Sequence, residues 1–140
     1  MRTIELITTG GTIEKVYDES VQALVNRESI VKRMLRRLRL EGSRVSIREL
    51  MSKDSLLMTD EDRAAIVAAA REASVRADSV VILHGTDTLC VTGEVLCAEL
   101  KPRVAVVLTG AMRPYEMTRS DALQNLTEAI LASGLVEAGV

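Results

Sequence analysis

Between residues 3 and 8 apolar and β-branched positions crowd together, in Thr3-Ile4-Glu5-Leu6-Ile7-Thr8. The run stops at Gly10-Gly11, which predicts a short strand ending in a turn. After a loop, Asn26 stands as a helix N-cap, and Ile30, Met34 and Leu38 recur every fourth residue. That spacing predicts a helix to about Leu40, with Lys32, Arg33, Arg36 and Arg37 on a solvated side. Residues 44–50 alternate instead, Val45 and Ile47 against Arg44, Ser46 and Arg48, which predicts an edge strand covered on one face. Thr59, with Asp60, Glu61 and Asp62 behind it, opens a further helix with a capping hydroxyl and acids in its first turn. Ile66, Ala69, Ala70 and Ala73 mark its inner face. Two almost wholly apolar, β-branched runs follow, at residues 79–83 and 104–108. Both predict central parallel strands buried on both faces. Each precedes a helical stretch, at residues 88–100 and 120–134, the second with Leu123, Leu126 and Ile130 in line.

Strand and helix thus alternate along the chain, the pattern of an α/β, doubly wound, mainly parallel sheet of about four strands with helices on both faces. Right-handed crossovers make second, first, third, fourth the simplest strand order. With 140 residues the chain reads as a single domain, 1–140. A net charge of −2 gives no drive toward nucleic acid or an anionic membrane. Two tyrosines, Tyr17 and Tyr115, are too few for a base-stacking platform. No apolar run approaches the ~18 residues of a membrane span, and no signal peptide precedes the first strand. Cys90 and Cys97 sit two helical turns apart, roughly 10 Å by the helical rise, too far for a disulfide. They read as small core residues in a cytoplasmic protein.

In such a sheet, ligands bind beyond the carboxyl ends of the strands, where the winding reverses. The four exits are Thr8-Thr9-Gly10-Gly11-Thr12, Met51-Ser52-Lys53-Asp54-Ser55, His84-Gly85-Thr86-Asp87-Thr88 and Thr109-Gly110-Ala111-Met112-Arg113-Pro114. With the expected strand order, the first and third flank the reversal point and carry the densest hydroxyls. Thr12 and Thr86 are nucleophile candidates, inert unless a base or cation helps remove the proton. Gly10, Gly11 and Gly85 let the backbone approach a ligand and turn N–H groups inward. Asp87 opens a helix whose dipole favours an ionised carboxylate, suited to a substrate ammonium. Ser52 and neighbouring amides suit a carboxylate. A zwitterionic amino acid asks for this combination.

Thr8-Thr9-Gly10-Gly11-Thr12-Ile13-Glu14, His84-Gly85-Thr86-Asp87-Thr88, Thr109-Gly110-Ala111-Met112-Arg113-Pro114 and Ser120-Asp121-Ala122-Leu123-Gln124-Asn125-Leu126 together resemble the bacterial-type L-asparaginase family. The resemblance covers essentially the whole chain. It implies hydrolysis of L-asparagine to L-aspartate and ammonia through a threonine acyl-enzyme. Thr12 would be the nucleophile, Thr86 and Asp87 the second catalytic pair. Ser52 and Asp87 would anchor the substrate, beside Gly11, Gly85 and Lys53. It implies no metal or organic cofactor, and a homodimer or higher homo-oligomer as the working form. Tyr17 takes the place of the family's activating tyrosine, although it lies only five residues past Thr12. Lys53 stands where the family commonly has glutamine, either altering substrate preference or pointing outward. The family's lysine follows one more strand, and no lysine follows Lys101 here. The chain therefore reads as the short, single-domain form without that strand and lysine. Two alternatives stand beside the amidohydrolase: an impaired aspartate- or asparagine-binding module or truncated fragment, and the amidase part of a tRNA-dependent amidotransferase.

Plainer roles compete at several positions. Thr12 also suits a turn-capping hydroxyl, and Asp87 a simple helix cap. His84 reads as a structural side chain beside the strand end, Arg113 as a loop anchor, and Ser120 as a helix cap.

Overall fold

The computed structural model describes residues 1–26 and 30–140. Four parallel strands form its sheet: β1 (Arg2–Gly10), β4 (Ser43–Lys53), β5 (Ser79–Leu83) and β6 (Ala105–Thr109), in the order β4-β1-β5-β6. Counted within the sheet, that is second, first, third, fourth. The chain numbering is shifted by an antiparallel hairpin, β2 (Val16–Asp18) with β3 (Ala23–Val25), which the residue pattern does not announce. Crossing from β1 outward to β4 and then back to β5 puts the winding reversal between β1 and β5.

Register assigns each residue a face. Ile4 pairs with Val45 and Leu6 with Ile47, so these four share one side of the sheet. They join a core with Val31, Met34, Leu126 and Ile130 from helices α1 (Val31–Leu35) and α4 (Ala122–Ala132). On the other side Ile7, Val80, Ile82 and Val106 pack with Ile66, Ala69, Ala70 and Ala73 of α2 (Asp60–Arg76) and Leu96 of α3 (Leu89–Glu99). Each large aliphatic side chain removed from water contributes roughly 1.5–3 kcal/mol. The alanines on α2 let that helix lie close to the sheet. Every residue of β5 is buried, as its unbroken apolar run requires. Among the buried charges is Glu5, 4% exposed. Arg76 satisfies it, donating from Nε and Nη2 at 2.7 and 2.6 Å; a lone carboxylate there would be costly.

Three expectations need correction. The helix expected from Asn26 to Leu40 is short. Its N-cap is Ile30, with no side-chain cap, and single turns carry the chain on to Leu38; residues 27–29 lie outside the described residues. Like charges three and four apart, Arg33 with Arg36 and Arg37, oppose a longer helix. Second, β6 is buried only at Ala105 and Val106, and half-buried from Val107 to Thr109. Among the described residues it is the last strand of the sheet, and on its far side Ala105 forms a parallel bridge with Gly139. Third, Cys90 and Cys97 are exposed, because α3 buries Thr92 and Leu96, one helical turn apart, and turns the cysteines away.

Helix α2 starts where the sequence predicts. The Thr59 hydroxyl accepts from Asp62 N–H at 3.2 Å, and the Asp62 carboxylate accepts from Thr59 N–H at 2.9 Å. Thr59→Ala removes half of this capping box, and urea denaturation should show a loss of about 1 kcal/mol.

Candidate active site

The carboxyl end of the sheet is assembled by backbone packed on backbone. Gly10 and Gly11 leave β1 with φ of 106° and 78°, a region that other residues enter only with strain. A Cβ on Gly11 would lie 2.5 Å from both Cα and N of Gly85; one on Gly10 would lie 2.4 Å from N and O of Lys53. The first exit therefore touches the exits of both flanking strands. Its N–H groups are already used. Gly10 N–H donates to the buried Glu14 carboxylate at 2.7 Å, and Gly11 N–H to the Lys53 carbonyl at 2.9 Å. The expectation that these two amides face a ligand is corrected: they hold the loop instead.

The third exit is enclosed just as closely. A Cβ on Gly85 would meet Ser55 Oγ at 2.6 Å, and one on Gly110 would meet the His84 carbonyl at 2.5 Å and Thr86 Cγ2 at 3.1 Å. Ser55 accepts from Thr88 N–H through its hydroxyl at 3.3 Å and from the Thr88 hydroxyl through its carbonyl at 2.9 Å. His84 is fully buried. Its Nδ1 lies 2.8 Å from the Gly85 carbonyl and its Nε2 2.7 Å from Thr92 Oγ1. A carbonyl only accepts, so Nδ1 carries the proton. Burial first, and the nearby Arg63 charge after it, hold the imidazole pKa below its ordinary value, against the opposing pull of the Gly85 carbonyl. The ring is then neutral, and the Thr92 hydroxyl donates to Nε2.

Thr12 sits half-buried in a single helical turn, Thr12–Glu14. Thr86 and Asp87 are exposed between β5 and α3. None of these three side chains has a hydrogen bond or ion pair with any described residue. Tyr17 is 57% exposed on the hairpin. It edges a hollow of about 330 Å³ with Lys15, Leu24, Pro114, Glu116 and Met117. Lys53 turns to Asp62, its ammonium 2.8 and 2.7 Å from the two carboxylate oxygens; that bond, with Thr59 N–H, lowers the Asp62 pKa. Lys15 lies 3.4 Å from Asp54, whose pKa is lowered chiefly by the N–H of Leu56.

Ser52 is exposed and still within β4. The serine that reaches the His84–Thr88 turn is Ser55, which the sequence motifs do not single out. The strand runs on through Lys53, past the end of the alternating pattern, so the turn back toward the sheet starts at Asp54. The fourth exit is organised by Asp121, which accepts from Met112 N–H at 2.9 Å, Arg113 N–H at 3.0 Å and Asn125 Nδ2 at 3.0 Å. Arg113 anchors that loop by donating to the Thr118 carbonyl at 3.2 Å, and Ser120 Oγ accepts from Ala122 N–H at 3.0 Å. Among the described residues no cluster of three His, Cys, Asp or Glu side chains is arranged to hold a metal, and no helix is long and apolar enough to cross a membrane.

A family model described as "Asparaginase, N-terminal" matches residues 3–139. The L-asparaginase of Thermococcus kodakarensis is 37% identical over 128 residues, 89% of this chain and 38% of that protein. A glutamyl-tRNA(Gln) amidotransferase component of Haloquadratum walsbyi is 33% identical over 144 residues, 99% of this chain and 32% of that protein. The chain thus spans about a third of the length of these relatives. Among solved structures, the thermostable L-asparaginase from Thermococcus kodakarensis superposes with a TM-score of 0.88 at 31% identity, covering 99% of this chain and 42% of that one. L-asparaginase I from Vibrio cholerae gives 0.82 at 28%, covering 94% and 40%.

The Asp121 carboxylate carries a testable sign. Desolvation raises its pKa, but the N–H groups of Met112, Arg113 and Asp121 itself, with Asn125, outweigh this and lower it. A lowered folded-state pKa contributes stability above the ordinary carboxylate pKa, lost as pH falls through the folded value. Asp121→Asn should lower the melting temperature at neutral pH and make the fall between about pH 5 and pH 3 shallower than in the wild type.

Proposed function

This chain belongs to the asparaginase family, and we propose that its paired first and third strand exits form the acyl-transfer half of an L-asparagine amidohydrolase site. One observation carries the reading. Gly11 and Gly85 are in backbone contact, so Thr12 and the Thr86–Asp87 pair project from adjoining turns, their side chains without a partner among the described residues.

In the proposed reaction the Thr12 hydroxyl oxygen attacks the side-chain amide carbon of asparagine as its proton passes to a base. The C–N bond breaks, the leaving nitrogen takes a proton and departs as ammonia, and a Thr12 ester remains. Water cleaves that ester, aspartate leaves, and the hydroxyl regains its proton. Asp87 holds the substrate ammonium, and Thr86 with Asp87 orients the attacking groups. Tyr17, on the hairpin that follows Thr12, is the proton-relay candidate. Ser55 borders this turn and takes over the anchoring part expected of Ser52. No metal or organic cofactor enters the scheme. A homo-oligomer is the proposed working form, with the exposed Leu56 and Leu57 beside this end of the sheet available to a second copy. A cytoplasmic setting suits the two exposed thiols, which stay reduced there.

Two observations keep other readings alive. Lys15 and Lys53, which follow the first exit and end β4, are each paired with a carboxylate, so neither is free to partner Thr86 and Asp87. This favours an aspartate- or asparagine-binding module that does not turn over. The match to the Haloquadratum walsbyi amidotransferase component over nearly the full chain favours the amidase part of a tRNA-dependent amidotransferase.

Coupled ammonia detection with asparagine, and with glutamine for comparison, separates these readings. Hydrolysis should fall at least about a thousandfold in Thr12→Ala, and Ser55→Ala should raise KM more than Ser52→Ala does. Thermal stabilisation by aspartate without ammonia release would leave only the binding module. Ammonia released at an undiminished rate by Thr12→Ala would remove the proposed nucleophile.

A further inference from the structure

We propose that His84 is a positioning residue whose bond to the Gly85 carbonyl fixes the Gly85–Thr86 peptide and so presents the Thr86 N–H to bound substrate. The inference rests on the asparaginase-type reading of the Thr86–Asp87 turn and adds a residue to it.

The argument starts from the peptide itself. No peptide bond among the described residues is cis, so the Gly85 carbonyl and the Thr86 N–H point in opposite directions across one rigid plane. His84 draws that carbonyl inward, at 2.8 Å from the buried imidazole. The Thr86 N–H must then point the other way, toward the exposed side where Thr86 and Asp87 lie. A hydrogen-bond donor held in that direction is what a substrate carboxylate or a developing oxyanion needs.

The ring is not free to release its hold. Thr92, buried on α3, donates to Nε2 at 2.7 Å. That bond requires a lone pair on Nε2 and so keeps the proton on Nδ1, where it serves Gly85. Arg63 of α2 adds a nearby positive charge that disfavours a protonated ring, and its Nη1 donates to the Met58 carbonyl at 3.1 Å. Gly11, Ser55 and Gly110 pack closely around His84, Gly85 and Thr86, where a Cβ on Gly11, Gly85 or Gly110 would collide. Thr92 touches no substrate and His84 none either; both act through Gly85.

The chain contains one histidine, so a long-range ¹H–¹⁵N spectrum of the imidazole reports on His84 without assignment. The expected result is the neutral Nδ1–H tautomer at neutral pH. Aspartate binding, followed by calorimetry, should weaken about five- to tenfold in Thr92→Val and recover in Thr92→Ser, which keeps the hydroxyl. If the valine variant does not fold, Thr92→Ala removes the same donor and takes its place. An Nε2–H tautomer or an imidazolium at neutral pH in the wild type overturns the proposal. So does a variant with wild-type aspartate affinity. A wild type that shows the Nδ1–H tautomer but binds no aspartate instead sinks the asparaginase-type reading, and the positioning role with it.

Discussion

The constraint on which the rest depends is the approach of bare backbone to bare backbone at the carboxyl end of the sheet. Three glycines there, Gly10, Gly11 and Gly110, stand where a side chain would collide with main-chain atoms of a neighbouring exit. Packing of this kind costs rigidity at both partners, because a main chain cannot move aside as a side chain can. Its return is proximity: residues more than seventy positions apart in sequence emerge from adjoining turns. The same closeness explains why the Gly10 and Gly11 amides are internal. Backbone polar groups taken out of water must be paired, and the nearest acceptors are Glu14 and Lys53.

Beneath that end, the sheet acts as a platform because both faces are covered. Helices α1 and α4 seal one side and α2 and α3 the other, leaving β5 with no exposed residue. The burial that stabilises the fold also fixes the direction in which β5 delivers His84, Gly85 and Thr86. Glu5 enters the interior with Arg76 in place, and His84 with Gly85 and Thr92. Buried polar networks satisfied in this way specify one arrangement out of many.

Much of this is legible in the chain. Apolar runs identify β5 and the start of β6, alternation identifies β4 as an edge, and Thr59 with Asp62 marks the start of α2. The glycine-flanked hydroxyls pick out the two exits that the sheet brings into contact. What the residue pattern does not carry are features set by tertiary distance. The length of α1 depends on like charges and on the turn into β4, not on the Ile30–Met34–Leu38 stripe alone. The hairpin β2–β3 has no strong alternation to announce it. Ser52 and Ser55 differ by three residues in sequence, yet only the second lies past the end of the strand and reaches Thr88. Cysteine composition favours burial, but the face of α3 is chosen by Thr92 and Leu96.

The polar groups at this end therefore divide into two sets, and the division bears on mechanism more than any single residue does. Glu14, Lys53, Asp62, His84 and Asp121 are committed to holding turns in place. The side chains of Thr12, Thr86 and Asp87 have no hydrogen-bond or ion-pair partner among the described residues. On rigid, closely packed turns such groups are open to an external partner, as the proposed function requires. The arrangement also limits what substitution can achieve. Changing a committed residue moves the turns and with them every side chain they carry, whereas changing an uncommitted one alters the chemistry and leaves the frame standing. Effects on stability and effects on turnover should accordingly separate along this line, and a residue such as His84, committed yet aiming an uncommitted amide, lies where the two meet.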